Sequence, residues 1–301
     1  MMANKIKTLL VLEPQEYEVS HLELVKDSQD INLSVLKRFD SHSLAQQNMA
    51  ALMNRIDSKF LLPIDAFEPF MNAISDDYSI LSSLGRKIFS YQTTYFDNKD
   101  RQFYLDHHNG KLNRYKVRFR RYVESNMGYM EIKLKNNKKR TIKQRIPMNC
   151  ILPDQRRVND FVQNTLGYSA KLETALFVNY QRITLINKKS LERITIDLNL
   201  SFQNSKNDSQ NNAKNNAKNN AKNKVQSIQN NVFIVEVKQV RKPLDSACRR
   251  FMKQHNHKEI NFSKYCIGSL LTTEDQSNSE PLKANNFKHI LRKLNDLNRQ
   301  H

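Results

Sequence analysis

Residues 114–122 read Arg114-Tyr115-Lys116-Val117-Arg118-Phe119-Arg120-Arg121-Tyr122. Consecutive side chains of a β-strand point to opposite faces. As a strand, this stretch carries Arg114, Lys116, Arg118 and Arg120 on one face. Tyr115, Val117, Phe119 and an odd Arg121 fall on the other. Like charges in a row repel one another, so such a face needs either solvent or a polyanion in front of it.

The period of two recurs on both sides of this strand. Residues 88–97 are rich in aromatic and β-branched types. Met130 to Lys135 sets Met, Ile and Leu against Glu131, Lys133 and Lys135, and Thr141 to Pro147 sets Ile142 and Ile146 against Thr141, Lys143 and Arg145. The polar residues 136–140 form the hairpin turn between them. Three more strands are expected at 178–186, 193–200 and 232–238. They carry Tyr180, Arg182 and Thr184, then Arg193, Thr195 and Asp197, then Glu236 and Lys238 on their polar faces. Helical spacing of apolar residues predicts helices over 42–54, over Ile64 to Ala73 after Pro63, over 154–166 and over 286–297. A short helical or turn segment is expected up to Asp106, followed by a turn at 108–110.

Residues 204–230 interrupt the strand pattern with Asn-Asn-Ala-Lys, repeated three times between Asn211 and Lys222. Such a segment has too little apolar surface to order itself and reads as a long hairpin loop. The expected organisation is an extension at 1–45, one domain over 46–275 containing this insert, and a tail with an amphipathic helix over 276–301. The tail helix is expected to dock on the body; contact with a membrane surface is the alternative.

The 301 residues are 39% hydrophobic and carry a formal charge of +19, part of it on the lysines of the insert. That balance points to an anionic partner. Cys150, Cys248 and Cys266 form neither a zinc spacing nor a disulfide framework, which fits a reducing compartment. No apolar run approaches the roughly 20 residues of a membrane span, and a cytoplasmic location is expected.

Strands with one apolar and one basic face add up if they are neighbours in one antiparallel sheet. An open sheet would make a basic plate; a closed barrel would make a basic tunnel with helices over its apolar outside. Periodicity leaves both open.

An ordered set of motifs adds to this. It comprises Arg55-Ile-Asp57-Ser-Lys59-Phe60, Tyr91-Gln-Thr-Thr-Tyr-Phe-Asp97, the run from Tyr104 to Arg120, Glu131-Ile-Lys133, Lys143-Gln-Arg145, Tyr180-Gln-Arg182, Arg193-Ile-Thr-Ile-Asp197, Glu236-Val-Lys238 and Phe262-Ser263-Lys264-Tyr265. From about Asn54 to Leu270 the chain resembles the VTC domain, the polyphosphate polymerase module of the vacuolar transporter chaperone. That module belongs to the CYTH-like triphosphate tunnel superfamily. No helical phosphate-sensing domain is seen ahead of it, so the resemblance is to the stand-alone, prokaryotic-type form.

The resemblance implies an α+β fold: an antiparallel β-barrel tunnel of about eight strands with a basic interior, flanked by helices. It implies a metal-dependent transfer of the γ-phosphoryl of ATP to a growing polyphosphate chain, that is, a phosphotransferase. Lys59, Arg118, Arg120, Lys133, Arg182 and Lys264 would be catalytic. Lys143, Arg145, Arg193, Lys238, Ser263 and Tyr180 would bind phosphate. Glu236 would hold Mn²⁺ or Mg²⁺, hard cations that prefer oxygen ligands. The implied partners are ATP and polyphosphate rather than nucleic acid. Asp197 and Glu131 are expected to orient arginines rather than hold metal.

A triphosphate hydrolase of the same superfamily is one alternative. Its expected Glu-x-Glu-x-Lys motif is here Arg55-Ile-Asp57-Ser-Lys59, with a basic residue in place of an acid. A non-catalytic binder of polyphosphate or nucleic acid is the other. By residue type Tyr91, Tyr95 and Tyr180 more often pack than do chemistry, while His107-His108 is expected to be structural and His255-Asn256-His257 to match a nuclease-like triplet only by coincidence.

Overall fold

The computed structural model describes residues 31–49, 56–138, 140–150, 154–204, 226–240, 245–273 and 281–299. Its strands are β1 (Ser41–His42), β2 (Ile56–Pro63), β3 (Tyr78–Leu81), β4 (Phe89–Asp97), β5 (Arg114–Tyr122), β6 (Met127–Lys135), β7 (Thr141–Met148), β8 (Glu173–Asn187), β9 (Glu192–Asn204), β10 (Gln226–Gln229) and β11 (Val232–Gln239). Eight form one antiparallel path in the order β2-β11-β9-β8-β4-β5-β6-β7. β3 and β10 pair with β8 and β9, and β1 lies parallel to β3.

The expected mixed α+β fold with an eight-strand antiparallel path is present, but the barrel does not close. Among the described residues the two ends of the path, β2 and β7, do not pair. Each edge is dealt with differently. Beside β2, the Ile260 amide donates to the Lys59 carbonyl at 2.8 Å. β7 is largely exposed and carries Lys143 and Arg145, and charge of this kind discourages strand addition at an edge.

The apolar strand faces are covered by helices. On β2, β8, β9 and β11, Phe60, Leu62, Ile183, Ile194, Ile196 and Val235 pack under α2 (Phe67–Ile74) and α5 (Ala247–Gln254). Val117, Phe119, Met130 and Ile132 pack under α4 (Gln155–Leu166), which Asp154 caps by accepting from the Arg157 amide at 3.0 Å.

The concave face is divided. Leu61 and Ile234 lie two residues along from Lys59 and Glu236, and so on the same strand faces. Yet they join an apolar cluster with Tyr265, Ile267 and Leu270 of α6 (Lys264–Leu271). A β-bulge opposite Tyr180 puts an extra residue into β9, where Asn199 takes a left-handed backbone conformation, and shifts the register of β9 against β8 at this point. α6 is buried on every side, which requires a small residue at its closest approach to the sheet. A Cβ on Gly268 would collide with the Phe202 ring and lie 2.8 Å from a Leu176 methyl.

Asp97 ties these parts together. It accepts the backbone amides of Phe103 and Tyr104 at 2.9 Å, so it caps α3 (Gln102–His108), and it takes the Tyr265 hydroxyl at 2.5 Å. The tail helix α7 (Lys288–Arg299) docks through Ile290 and Leu294, as expected of its apolar stripe. Among the described residues no helix is long and apolar enough to cross a membrane.

Several expected boundaries shift. The helix expected over 42–54 is α1 (Leu44–Met49), and Leu52 and Met53 lie outside the described residues. The insert is narrower than 204–230. Asn204 ends β9 and Gln226–Gln229 is a strand paired to it, because β9 extends past its neighbour and leaves an edge to bond. Residues 205–225, and 1–30 of the extension, lie outside the described residues.

Gly268→Ala is expected to lower stability by about 1–3 kcal/mol, the usual cost of forcing atoms into a packed core. A chemical denaturation midpoint equal to that of the parent protein would refute the close contact.

Candidate active site

The polar part of the concave face encloses a cavity of about 2090 Å³. Strands along the whole path line it: Lys59 on β2, Glu236 on β11, Arg193 on β9, Arg182 on β8, Arg118 on β5 and Lys143 on β7 are examples. The cations of separate motifs therefore share one space.

Two buried carboxylates make this possible. Glu131 stands opposite Arg118 in the β5–β6 register. Its Oε2 accepts from Arg118 Nε at 2.7 Å and Nη2 at 2.6 Å, and its Oε1 meets the Lys143 ammonium. Asp197 stands opposite Arg182 in the β8–β9 register. It accepts from Arg182 Nε at 2.6 Å and Nη2 at 2.8 Å, and from Lys264. Burial pushes both carboxyls up, but Arg118, Arg120 and Lys143 around Glu131, and Arg182 and Lys264 around Asp197, outweigh it and hold both well below the usual range. Both face inward and are fully engaged, as the orienting role requires.

Beneath the arginines lies an aromatic floor. Tyr91 stacks on Tyr180 at 5.2 Å and 6°. The guanidinium of Arg182 lies 5.1 Å and that of Arg120 5.8 Å from the Tyr180 ring, with the Lys264 ammonium at 4.7 Å. Tyr180 is 3% exposed, belongs to the apolar cluster and does not line the cavity, so it supports cations rather than facing the ligand. This fits the packing expected of its type rather than the phosphate-binding role that the resemblance implied, and the reason is the crowding of three cations over its ring.

The remaining expected residues do line the cavity. Lys59 Nζ donates to the Phe262 carbonyl at 2.6 Å, and Arg120 Nε to Thr93 Oγ1 at 3.3 Å. Lys133 is held well below an ordinary lysine, first by Arg118 and then by burial. Arg145 lies 4.6 Å over the Tyr129 ring at an exposed position. Ser263 caps α6 by accepting from the Cys266 amide at 3.3 Å.

Glu236 is partly exposed to the cavity, and one of its oxygens meets Lys238 Nζ at 2.6 Å. Lys238, Lys59 and Arg182 overcome the effect of burial and keep it ionised. Thr195 is opposite it in register, and its buried Oγ1 has no hydrogen-bond partner among the described residues. A carboxylate oxygen and a spare hydroxyl on one wall fit a hard divalent cation whose other ligands are phosphate oxygens. They would not suffice as a cage by themselves: among the described residues no group of three or more His, Cys, Asp or Glu could hold a metal.

Among the cavity residues not singled out as site residues from the sequence are His107, Arg114 and Lys116. Arg114 and Lys116 share the face of Arg118, so the strand period pointed to them. His107 gave only a weak signal, a histidine near the end of a short helix. His255 and His257 stack on Phe251 outside the cavity lining, consistent with coincidence.

Residues 54–273 match the VTC domain, and the chain belongs to that family. No curated protein matches. Among solved structures, the chain is similar to a Hippeastrum protein described as a putative adenylyl cyclase with a dominant triphosphatase activity (TM-score 0.44, 10% identity, 71% of this chain and 93% of that one). It is also similar to putative adenylate cyclases from Bacillus halodurans (0.43, 9%, 70% and 94%) and Vibrio parahaemolyticus (0.39, 9%, 71% and 96%). Family membership supports a polyphosphate-related function.

Two predictions follow from the charges. Glu131→Gln leaves Arg118 buried without its counter-charge and should cost about 3–5 kcal/mol. Because the folded-state pKa of Glu131 is depressed, its contribution is present above the ordinary carboxylate range and is lost as pH falls below it. The variant should therefore show a flatter loss of stability toward acid; an unchanged acid limb in a pH series of denaturation curves would contradict the pairing.

Lys116 and Lys238 are pushed down to about 8, chiefly by burial. Both lose charge as pH rises through that value. Affinity for inorganic tripolyphosphate, measured by calorimetry, should fall between about pH 7 and about pH 9.5, ahead of ordinary lysines. Constant affinity over that interval would count against these two cations facing the ligand.

Proposed function

We propose that the protein is an inorganic polyphosphate polymerase that transfers the γ-phosphoryl of ATP to the end of a phosphate chain. The observation that carries this reading is the charge inventory of the cavity. Cations from all parts of the eight-strand path converge there, while Glu131 and Asp197 are taken up by arginine and lysine.

In the reaction, a terminal oxygen of the chain forms a bond to the γ-phosphorus as the bond from that phosphorus to the β-bridging oxygen breaks. ADP leaves with the electron pair. The terminal phosphate of the acceptor has a second pKa near 6 by analogy with phosphate monoesters, so it is largely ionised near neutral pH. It needs no base to activate it, unlike a hydrolytic water.

Arg118 and Arg182 are locked by their carboxylates, so they present fixed N–H groups to phosphate oxygens with little reorganisation. Arg120, Lys133 and Lys264 add positive charge where charge builds on the transferring group and the leaving diphosphate. Lys143, Arg145, Arg193 and Lys238 hold further phosphates along the wall. Glu236, with Thr195 beside it, would hold Mn²⁺ or Mg²⁺. A bound divalent cation would supply Lewis-acid neutralisation of phosphate charge.

The test is incubation of purified protein with ATP and Mn²⁺, followed by ³¹P NMR and gel analysis. Long-chain polyphosphate and ADP are expected. ADP with free phosphate and no polymer would make the protein a hydrolase, and no turnover with retained polyphosphate would make it a binder. Glu236→Ala should abolish turnover by at least about a hundredfold, the scale of losing one charge-stabilising group, while polyphosphate binding persists. Unchanged turnover would remove the metal role from Glu236.

A further inference from the structure

One corner of the cavity has chemistry that the site just described does not use. There α3, β5 and the start of α6 meet, bringing together His107, Arg114, Lys116 and Ser263. Arg118, Lys143, Arg182, Lys264 and Lys238 each meet a carboxylate. Arg114 and Lys116 instead meet neutral partners. Arg114 Nε donates to His107 Nδ1 at 3.1 Å and its Nη1 to the Lys111 carbonyl at 2.8 Å. Lys116 Nζ donates to Ser263 Oγ at 3.0 Å.

The histidine geometry has a further consequence. Nδ1 accepts from Arg114, so a neutral ring carries its proton on Nε2. Nε2 lies 3.5 Å from Lys116 Nζ. Two donors thus stand side by side with no acceptor between them. Burial, with Lys116, Arg114, Lys59 and Lys135 around it, pushes His107 down to about 2, which keeps the ring neutral and this tautomer in place. The groups facing it from neighbouring elements are those four cations and the Phe287 ring, stacked at 6.3 Å and 9°.

We propose that His107, Lys116 and Arg114 form a separate station for one phosphate unit of the inorganic chain, in which an anionic oxygen sits between His107 Nε2–H and Lys116 Nζ. Every group offered there donates, so the station suits a ligand that only accepts, and it offers nothing specific to a nucleobase. It runs outward from the transferring centre: Lys116 stands opposite Lys133 in the β5–β6 register, and Arg114 precedes Arg118 by four strand residues, about 13 Å. The chain, rather than the nucleotide, would reach it.

The inference rests on the polymerase reading for its ligand but is tested without turnover. Affinities for long-chain polyphosphate and for ATP are measured by calorimetry for the parent protein, His107→Phe, Lys116→Met and Arg114→Gln. His107→Phe keeps the ring stack and removes the donor. Each variant should bind long chains about tenfold more weakly, the worth of one charge-assisted hydrogen bond. For His107→Phe and Arg114→Gln, ATP affinity should change less than about twofold by the same reasoning, and its retention reports an intact fold. For Lys116→Met, the slope of log affinity against log salt should drop by roughly one. Equal losses for ATP and polyphosphate, or no loss for either, would overturn the station. A protein that binds chains in this pattern yet makes none fails the polymerase test and still passes this one.

Discussion

The structure depends on how like charges are kept together in one cavity. Two cations a few ångströms apart repel by several kcal/mol near a protein surface, and this cavity gathers cations from most of its strands. The fold answers with two carboxylates placed by strand register. Glu131 faces Arg118 across β5 and β6, and Asp197 faces Arg182 across β8 and β9. Each also takes a lysine. The compensation is partial by construction: two buried acids serve four cations and Glu236 meets Lys238, while Arg114 and Lys116 meet neutral partners. The remaining positive field is what a chain of phosphates would neutralise.

The same register links fold to chemistry in a second way. Lys59 and Glu236 are opposed on β2 and β11, while Leu61 and Ile234, two residues further along, support α6. A single strand face therefore passes from site to core within two residues. α6 is held by Asp97 through the Tyr265 hydroxyl and by the close approach at Gly268. Its position decides where Ser263 and Lys264 enter the cavity, so a core contact sets the geometry of the site.

The basic strand, its neighbours and the inward direction of Arg118 and Arg120 were legible because the period of two is strong in short amphipathic strands. So was the eight-strand path, through the order of its motifs. Three things were not. Near the start of β8, Thr174, Ala175 and Leu176 are buried in succession, so that part of the strand lacks alternation. α6 is buried all round, so it has no polar stripe to reveal it, and α5 is short. Tyr180 shares its motif with Arg182, but its place below the cations follows from the stack on Tyr91 and the three cations over its ring, contacts between separate elements that leave no mark on spacing. Whether the sheet closes was likewise open to periodicity. It stays open, with β7 exposed at its edge. His107 became part of the cavity only through the packing of α3 on β5, a tertiary contact that no local pattern announces.

The central claim is that the cavity carries uncompensated positive charge which a phosphate chain completes. Thermal unfolding with inorganic tripolyphosphate, against sodium chloride at matched ionic strength, tests it most directly, because a ligand that binds only the folded state raises the midpoint. The account predicts a midpoint that climbs with tripolyphosphate concentration and does not climb with chloride. Identical midpoints in the two salts would contradict it.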